Sequence, residues 1–225
     1  MKTLNTTILL ILFTSFVFGQ KIKLSKANGI MTYNTEISEL KFKGKNALKV
    51  NAIEGNKLAI VKISNSDFED GIIEFEMASN RAIGSHPENR GFAGMAFHLS
   101  EDNSAFDCIY LRAINGRSEN QVQRNHTVQY FALPNFHFPV LREKFPEKYE
   151  TYVDVAPDEW IKLKIVVEGR TAKLYVANQK QPTLIVSEML NKNMSGSIAL
   201  WVGGGTNAYF TNLKITKGRS KKNNK

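Results

Sequence analysis

The sequence predicts an all-β protein folded as a single sandwich or jelly roll. Roughly a dozen short runs of strand-type alternation recur about every 8 to 12 residues, Gly- and Asn-centred turn signals separate them, and no run longer than about 10 residues keeps a helical period. A chain of 225 residues fits one such domain, because sandwiches of roughly 200 to 250 residues fold as single units with a core that needs no staples.

Between residues 20 and 63 the alternation comes in short pieces, 29–33, 37–42, 47–52 and 57–63. Asn-Gly, Lys-Gly and Glu-Gly pairs break them and suit tight turns. In the fourth piece Leu58, Ile60 and Lys62 alternate with Ala59, Val61 and Ile63. Both of its faces are apolar, which places it in the middle of a sheet. Asp67 to Gly71 then forms a turn, and Ile73, Phe75 and Met77 face one way while Ile72, Glu74 and Glu76 face the other.

Residues 82–90, with Gly84, Pro87 and Asn89, read as a loop that ends on Arg90. Strand 91–99 sets Phe92, Gly94, Ala96 and His98 against Ala93, Met95, Phe97 and Leu99, and small Gly94 and Ala96 leave space above the first face. Strand 106–113 opposes Ile109, Leu111 and Ala113 to Tyr110 and Arg112. After a loop over 114–124, Val128, Tyr130 and Ala132 oppose Thr127, Gln129 and Phe131. Residues 134–155 have weak periodicity and many aromatics, the mark of a functional or capping loop. The clearest hairpin, 160–168 with 171–176, turns at Gly169-Arg170. Strands 183–186, 196–202 and 208–216 close the domain around Gly203 to Gly205. Trp160 and Trp201 fall in strands, so core packing is expected of both.

Two stretches carry a family resemblance. Phe68-Glu69-Asp70-Gly71 followed by an alternating strand with acidic residues resembles the opening of concanavalin A-like, laminin G-like jelly rolls of bacterial carbohydrate-active proteins. The segment WIKLKIVVEGRTAKLYV and the later GSIALWVGGGTNAYFTNLKIT resemble the end of the same superfamily, so the likeness covers about residues 67–216. It implies a concanavalin A-like sandwich and a carbohydrate ligand. The strand layout also resembles the 3-keto-disaccharide hydrolase group, except that Asp107 to Arg112 stands where that group has Gly-Tyr-Glu-x-Gln.

The ends of the chain set its expected address. Lys2, the apolar block 8–18 and Val17-Phe18-Gly19 make residues 1–19 a secretory signal peptide. The block falls short of the ~20 apolar residues of a membrane span. A secreted or periplasmic protein without membrane insertion is therefore expected, with its β-sandwich over 20–216 and a basic, disordered tail over 217–225. Cys108 is the only cysteine, which excludes an intrachain disulfide and suits a buried small hydrophobe. Export without disulfides points to a bacterial periplasm or exterior. The net charge of +9 is mostly terminal: setting aside Lys2 and the five basic residues of the tail leaves +3. That balance makes nucleic acid an unexpected partner; the tail itself could attract anionic envelope polymer.

Strand parity also proposes a site. If the apolar sets point inward, Glu74, Glu76, His98, Tyr110, Arg112 and Gln129 face outward on consecutive strands, flanked by Arg90 and His126. Arg and Glu suit sugar hydroxyls, and Tyr suits sugar C–H faces, so an oligo- or polysaccharide on a concave sheet face is the leading expectation. The same pattern also describes a solvated face with ion pairs such as Glu76 with Arg112. An enzymatic alternative remains open. Glu74 and Glu76 share a face ~7 Å apart, although the carboxylate spacing of the retaining glucanases of this fold is broken here. His98 and Tyr110 are residue types of a polysaccharide lyase, without a lyase motif. A structural envelope protein is the third reading. No cofactor is expected and the four His lack zinc spacing. Asp102-Asn103 and Asp67-Glu69-Asp70 could hold a structural calcium but suit turns better.

Overall fold

The computed structural model describes residues 19–53 and 57–218; the signal peptide expected over 1–19 and the basic tail over 217–225 lie almost wholly outside them. Fifteen strands are described. The first five are β1 (Gln20–Ile22), β2 (Ile30–Tyr33), β3 (Thr35–Phe42), β4 (Lys45–Ala52) and β5 (Ile60–Ile63). β6 (Gly71–Arg81), β7 (Phe92–Leu99) and β8 (Phe106–Arg112) lead to helix α1 (Gln121–Asn125) and β9 (Val128–Leu133). Helix α2 (Phe138–Lys144) and β10 (Glu150–Thr151) come next, then β11 (Ile161–Glu168), β12 (Thr171–Val176) and β13 (Leu184–Val186). β14 (Ser197–Val202) and β15 (Thr206–Lys217) complete the chain.

All strand pairs are antiparallel and fall into two stacked sheets. One has eight strands, ordered β13-β12-β11-β6-β15-β4-β3 with β1 also on β15; the other has seven, ordered β10-β9-β8-β7-β14-β5-β2. The turn-punctuated alternation thus builds the expected sandwich, and β5 lies inside its sheet, as its two apolar faces require. Between the sheets, Ile73, Phe75, Met77 and Phe210 from one side meet Met95, Phe97, Ile109, Leu111 and Tyr130 from the other, all within one buried cluster.

The two sheets differ on their outer faces. In β11 and β12 every second residue is buried, so the eight-stranded sheet keeps one wet face. In β7, β8 and β9 nearly every residue is buried on both faces, so the outer face of the seven-stranded sheet is covered. The cover is the irregular segment 134–152. It folds back through a bridge between Ala132 and Phe136, carries α2, and returns as β10, which pairs with β9. The sequence shows this stretch as a loop because its helix has only seven residues and its strand two.

Candidate functional site

Register places a row of side chains on the outer face of the seven-stranded sheet. Trp201 stands opposite Gly94, Gly94 opposite Tyr110, Tyr110 opposite Gln129, and Gln129 opposite Glu150. Directly opposed residues of antiparallel strands share a face. Tyr110 crosses the bare backbone of Gly94 to reach Trp201, with ring centroids 4.9 Å apart. Phe131 packs against both rings at 5.6 and 5.3 Å, and His137 stacks on Phe131 at 6.0 Å. Trp201 and Phe92 are half-buried and Phe138 is 43% exposed, so this aromatic group has a solvent-facing edge.

Arg112 sits inside the group. It is 5% exposed, and its guanidinium lies 4.8 Å from the Tyr110 ring centroid, 5.9 Å from Phe92 and 5.4 Å from Phe138. Its Nη1 donates to the His126 carbonyl at 2.8 Å and its Nη2 to the Tyr110 hydroxyl at 2.5 Å. Both acceptors are uncharged, and among the described residues no carboxylate lies within ion-pair distance. Burial pulls the Arg112 pKa below its usual value, which the neighbouring Tyr110 partly offsets. Burial likewise pushes the Tyr110 phenol up to about 12, with Arg112 opposing.

Beside this box, Glu150 is held by a two-nitrogen fork from Arg142, with Nη2 at 2.9 Å and Nε at 3.1 Å from Oε2. His126 Nδ1 also lies 2.8 Å from Glu150 Oε2, but without the alignment of a hydrogen bond. Gln129, 1% exposed, donates from Nε2 to the carbonyls of Tyr130 and Tyr149, and its Oε1 has no partner among the described residues.

The structure brings together Tyr110, Arg112, Gln129 and His126, but not the rest of the expected set. Glu74 and Glu76 lie on the other sheet. β6 and β7 follow each other in sequence, yet the loop between them crosses from one sheet to the other, and parity alone cannot reveal such a crossing. The Glu76–Arg112 pair therefore does not form; Glu76 pairs with Lys45 and accepts from Asn212 at 2.7 Å, and Glu74 pairs with Lys214 at 3.3 Å. Burial raises the Glu76 pKa, but the bonds from Lys45 and Asn212 outweigh it and leave the carboxyl below its usual value.

His98 is a second correction. Parity places it beside Ala96, but its backbone turns into the left-handed region at φ 54°, where β14 shifts register opposite it. This bulge re-aims the side chain. The ring is wholly buried, with Nδ1 2.9 Å from Asp107 Oδ2 and Nε2 2.8 Å from the Glu69 carbonyl. Asp107 in turn accepts from the Tyr130 hydroxyl at 2.5 Å. His98 thus belongs to a buried polar network and not to the outer face. Arg90 turns away as well and pairs with Glu88 at 2.8 Å.

Sequence reasoning assigned Trp201 and Trp160 to the core, and the structure corrects both. Trp201 is half-buried on the outer face; it shares parity with Ala199, opposite to Ile198, Leu200 and Val202, and this alternation was the available signal. Trp160 is half-buried just before β11 and packs edge-on to Phe42 at 5.8 Å. Glu150 and Arg142 lie in the irregular stretch and had no sequence signal. Among the described residues no group of three His, Cys, Asp or Glu is placed to hold a metal. Of the calcium candidates, Asp102 accepts from Ser100 Oγ at 2.6 Å and from Ser104, which holds its pKa at about 2. Asp70 accepts the Gly169 amide at 2.7 Å. Both act as turn residues.

No family model and no curated protein sequence matches the chain. Solved structures do. Carbohydrate-binding module CBM66 from Bacillus subtilis is 15% identical over 84% of this chain and 96% of its own, with a TM-score of 0.59. The Bacillus licheniformis β-glucanase is 13% identical over 92% of this chain and 100% of its own, at 0.51. The exoplasmic/lumenal domain of VIP36, solved bound to Ca2+ and Man3GlcNAc, is 8% identical over 85% of each chain, at 0.53. With identities this low, the likeness is one of architecture, and it shows the fold: an antiparallel two-sheet jelly roll of the concanavalin A-like type.

Proposed function

We infer that the protein is an exported carbohydrate-binding protein that holds a glycan against the solvent-facing Trp201–Phe92 edge of the seven-stranded sheet's outer face. One observation carries the reading: Arg112 is a nearly buried guanidinium boxed by aromatic rings, hydrogen-bonded only to uncharged acceptors. A buried cation without a carboxylate is costly to keep, and its planar fork suits sugar hydroxyls or a sugar carboxylate. The half-buried Trp201 and Phe92 beside it offer ring faces for sugar C–H groups.

Binding is favoured over catalysis by the state of the carboxylates. A general acid needs a raised pKa, whereas Glu76 is held below its usual value and Glu74 is ion-paired. The architecture supports the ligand class, being shared with a module named for carbohydrate binding and with a domain solved with Man3GlcNAc.

A glycan array followed by affinity electrophoresis tests the reading. Wild-type protein is expected to be retained by at least one oligo- or polysaccharide, and Trp201→Ala to weaken that retention about tenfold or more, as loss of an aromatic anchor does. Absence of binding to every glycan tried, or full affinity in Trp201→Ala, refutes it.

A further inference from the structure

The wet face of the eight-stranded sheet carries a second feature, on the opposite side of the molecule. β15 pairs with β4 as far as Phe210 and with β1 from Leu213. The irregularity between them, where Asn212 takes φ 54°, opens the sheet into a cleft of about 950 Å³. Its walls carry five lysines, Lys21, Lys23, Lys41, Lys162 and Lys214, among apolar side chains such as Ile22, Leu24, Leu40 and Leu213. Its three glutamates are already engaged. Glu76 is held by Lys45 and Asn212, Glu74 by Lys214, and Glu39 accepts the Lys26 amide at 2.9 Å. Among the described residues Lys21, Lys23, Lys41 and Lys162 have no carboxylate within ion-pair distance.

Register organises these cations into rows. Lys164, Glu74, Lys214 and Lys21 stand opposite one another across β11, β6, β15 and β1, so the row holds three ammonium groups and one carboxylate, which pairs with Lys214. Lys214 and Lys21 are directly opposed like charges, a destabilising arrangement in the free protein that an anion laid across the row would relieve. Lys162, Glu76 and Thr211 form the next row, ~7 Å along the strands. Trp160 lies beside Glu76 and Lys162. It packs edge-on to Phe42, which stacks on Tyr209 at 3.7 Å, and the three rings form an aromatic rim with Lys45 Nζ 5.4 Å from the Trp160 ring centroid.

We propose that this face binds a linear acidic polysaccharide, with its carboxylate or sulfate groups over Lys21, Lys214 and Lys162 and a sugar ring against the Trp160 rim. The interspersed glutamates decide for a glycan over nucleic acid. A duplex carries one charge per ~1.7 Å and would meet Glu74 and Glu76 as repulsion, whereas an acidic glycan has hydroxyls between its charges to hydrogen-bond with them.

Affinity electrophoresis of the full chain through gels containing polygalacturonate, dextran sulfate or neutral dextran tests the proposal. Retention by an acidic polymer is expected, weakening with added salt and falling about tenfold or more in the double variant Lys21→Glu/Lys162→Glu. Should circular dichroism show that variant unfolded, Lys21→Gln alone, at an exposed position, is expected to reduce retention in the same direction. Equal retention of variant and wild type, no retention by either acidic polymer, or tighter binding of single-stranded DNA at matched salt overturns it. Trp201→Ala leaves acidic retention intact if the two faces act separately, so failure here and failure of the glycan reading for the other face are distinguishable.

Discussion

Trp201 and Tyr110 touch across an intervening strand, their ring centroids 4.9 Å apart, because the residue between them is Gly94. A Cβ at Gly94 would lie 2.2 Å from the Ile109 carbonyl oxygen and 2.5 Å from the Tyr110 Cα. These are backbone atoms that cannot rotate away. Gly94→Ala is therefore expected to destabilise the fold by about 1–3 kcal/mol, the usual range for overpacking, and to separate the two rings. A urea midpoint unchanged from wild type would show that β8 gives way without strain.

The His98–Asp107 pair supports a second prediction. Both side chains are fully buried, and Asp107 also accepts from Tyr130 and, at 3.4 Å, from the Asn191 amide. His98 faces the Asp107 carboxyl through Nδ1 and the Glu69 carbonyl through Nε2, so both ring nitrogens are engaged inside the protein. Removing one partner of a buried hydrogen-bonded pair leaves the other's polar atom unsatisfied. Asp107→Asn is expected to cost about 1–3 kcal/mol, read from chemical unfolding. A loss below about 0.5 kcal/mol would mean that the network re-forms around the amide with no group left unsatisfied.

How far the sequence could be read follows from these two cases. Alternation identified β6, β7, β8 and β9, and it sorted Met95, Phe97, Ile109, Leu111 and Tyr130 into the core. Tyr110, Arg112 and Gln129 were legible as a group because their strands are neighbours and their parity is unbroken. His98 was misread because a bulge is a local backbone event that leaves no mark in residue type. Glu74 and Glu76 were misplaced because parity assigns a side chain to a face but not to a sheet. The cover over Arg112 was invisible because seven residues of helix and two of strand cannot establish a period.

His126 gives a pH dependence of defined sign. Burial lowers its pKa, the nearby Glu150 opposes that, and the guanidinium groups of Arg142 and Arg112 reinforce it. A histidine whose folded pKa is depressed contributes stability that is fully present above its unfolded value of ~6.5 and is lost as pH falls toward the folded value. Thermal melts of wild type and His126→Gln between pH 7.5 and 5.5 should therefore converge on acidification, the wild type losing more. A gap that holds constant or widens at low pH would exclude this linkage.

The attachment of α2 to the sheet rests largely on Glu150. Its side chain is 6% exposed, and Arg142 in α2 reaches it with Nε and Nη2, so one carboxylate ties the helix to β10 and through β10 to β9. Arg142 also lies over Phe138, which in turn covers Arg112. Glu150→Gln keeps the volume but removes the charge that two nitrogens share, and the Arg142 guanidinium then loses its carboxylate partner. Charge-assisted bonds of this kind contribute about 1.5–3 kcal/mol each at most, enough to shift a local opening equilibrium about tenfold or more without unfolding the sandwich. Trypsin should therefore cut Glu150→Gln faster than wild type at Arg142, Lys144 or Lys148, while the main unfolding transition moves little. If cleavage begins elsewhere, or at the wild-type rate, then the hydrophobic seat of Leu141 and Tyr149, both 1% exposed, is what holds the segment in place.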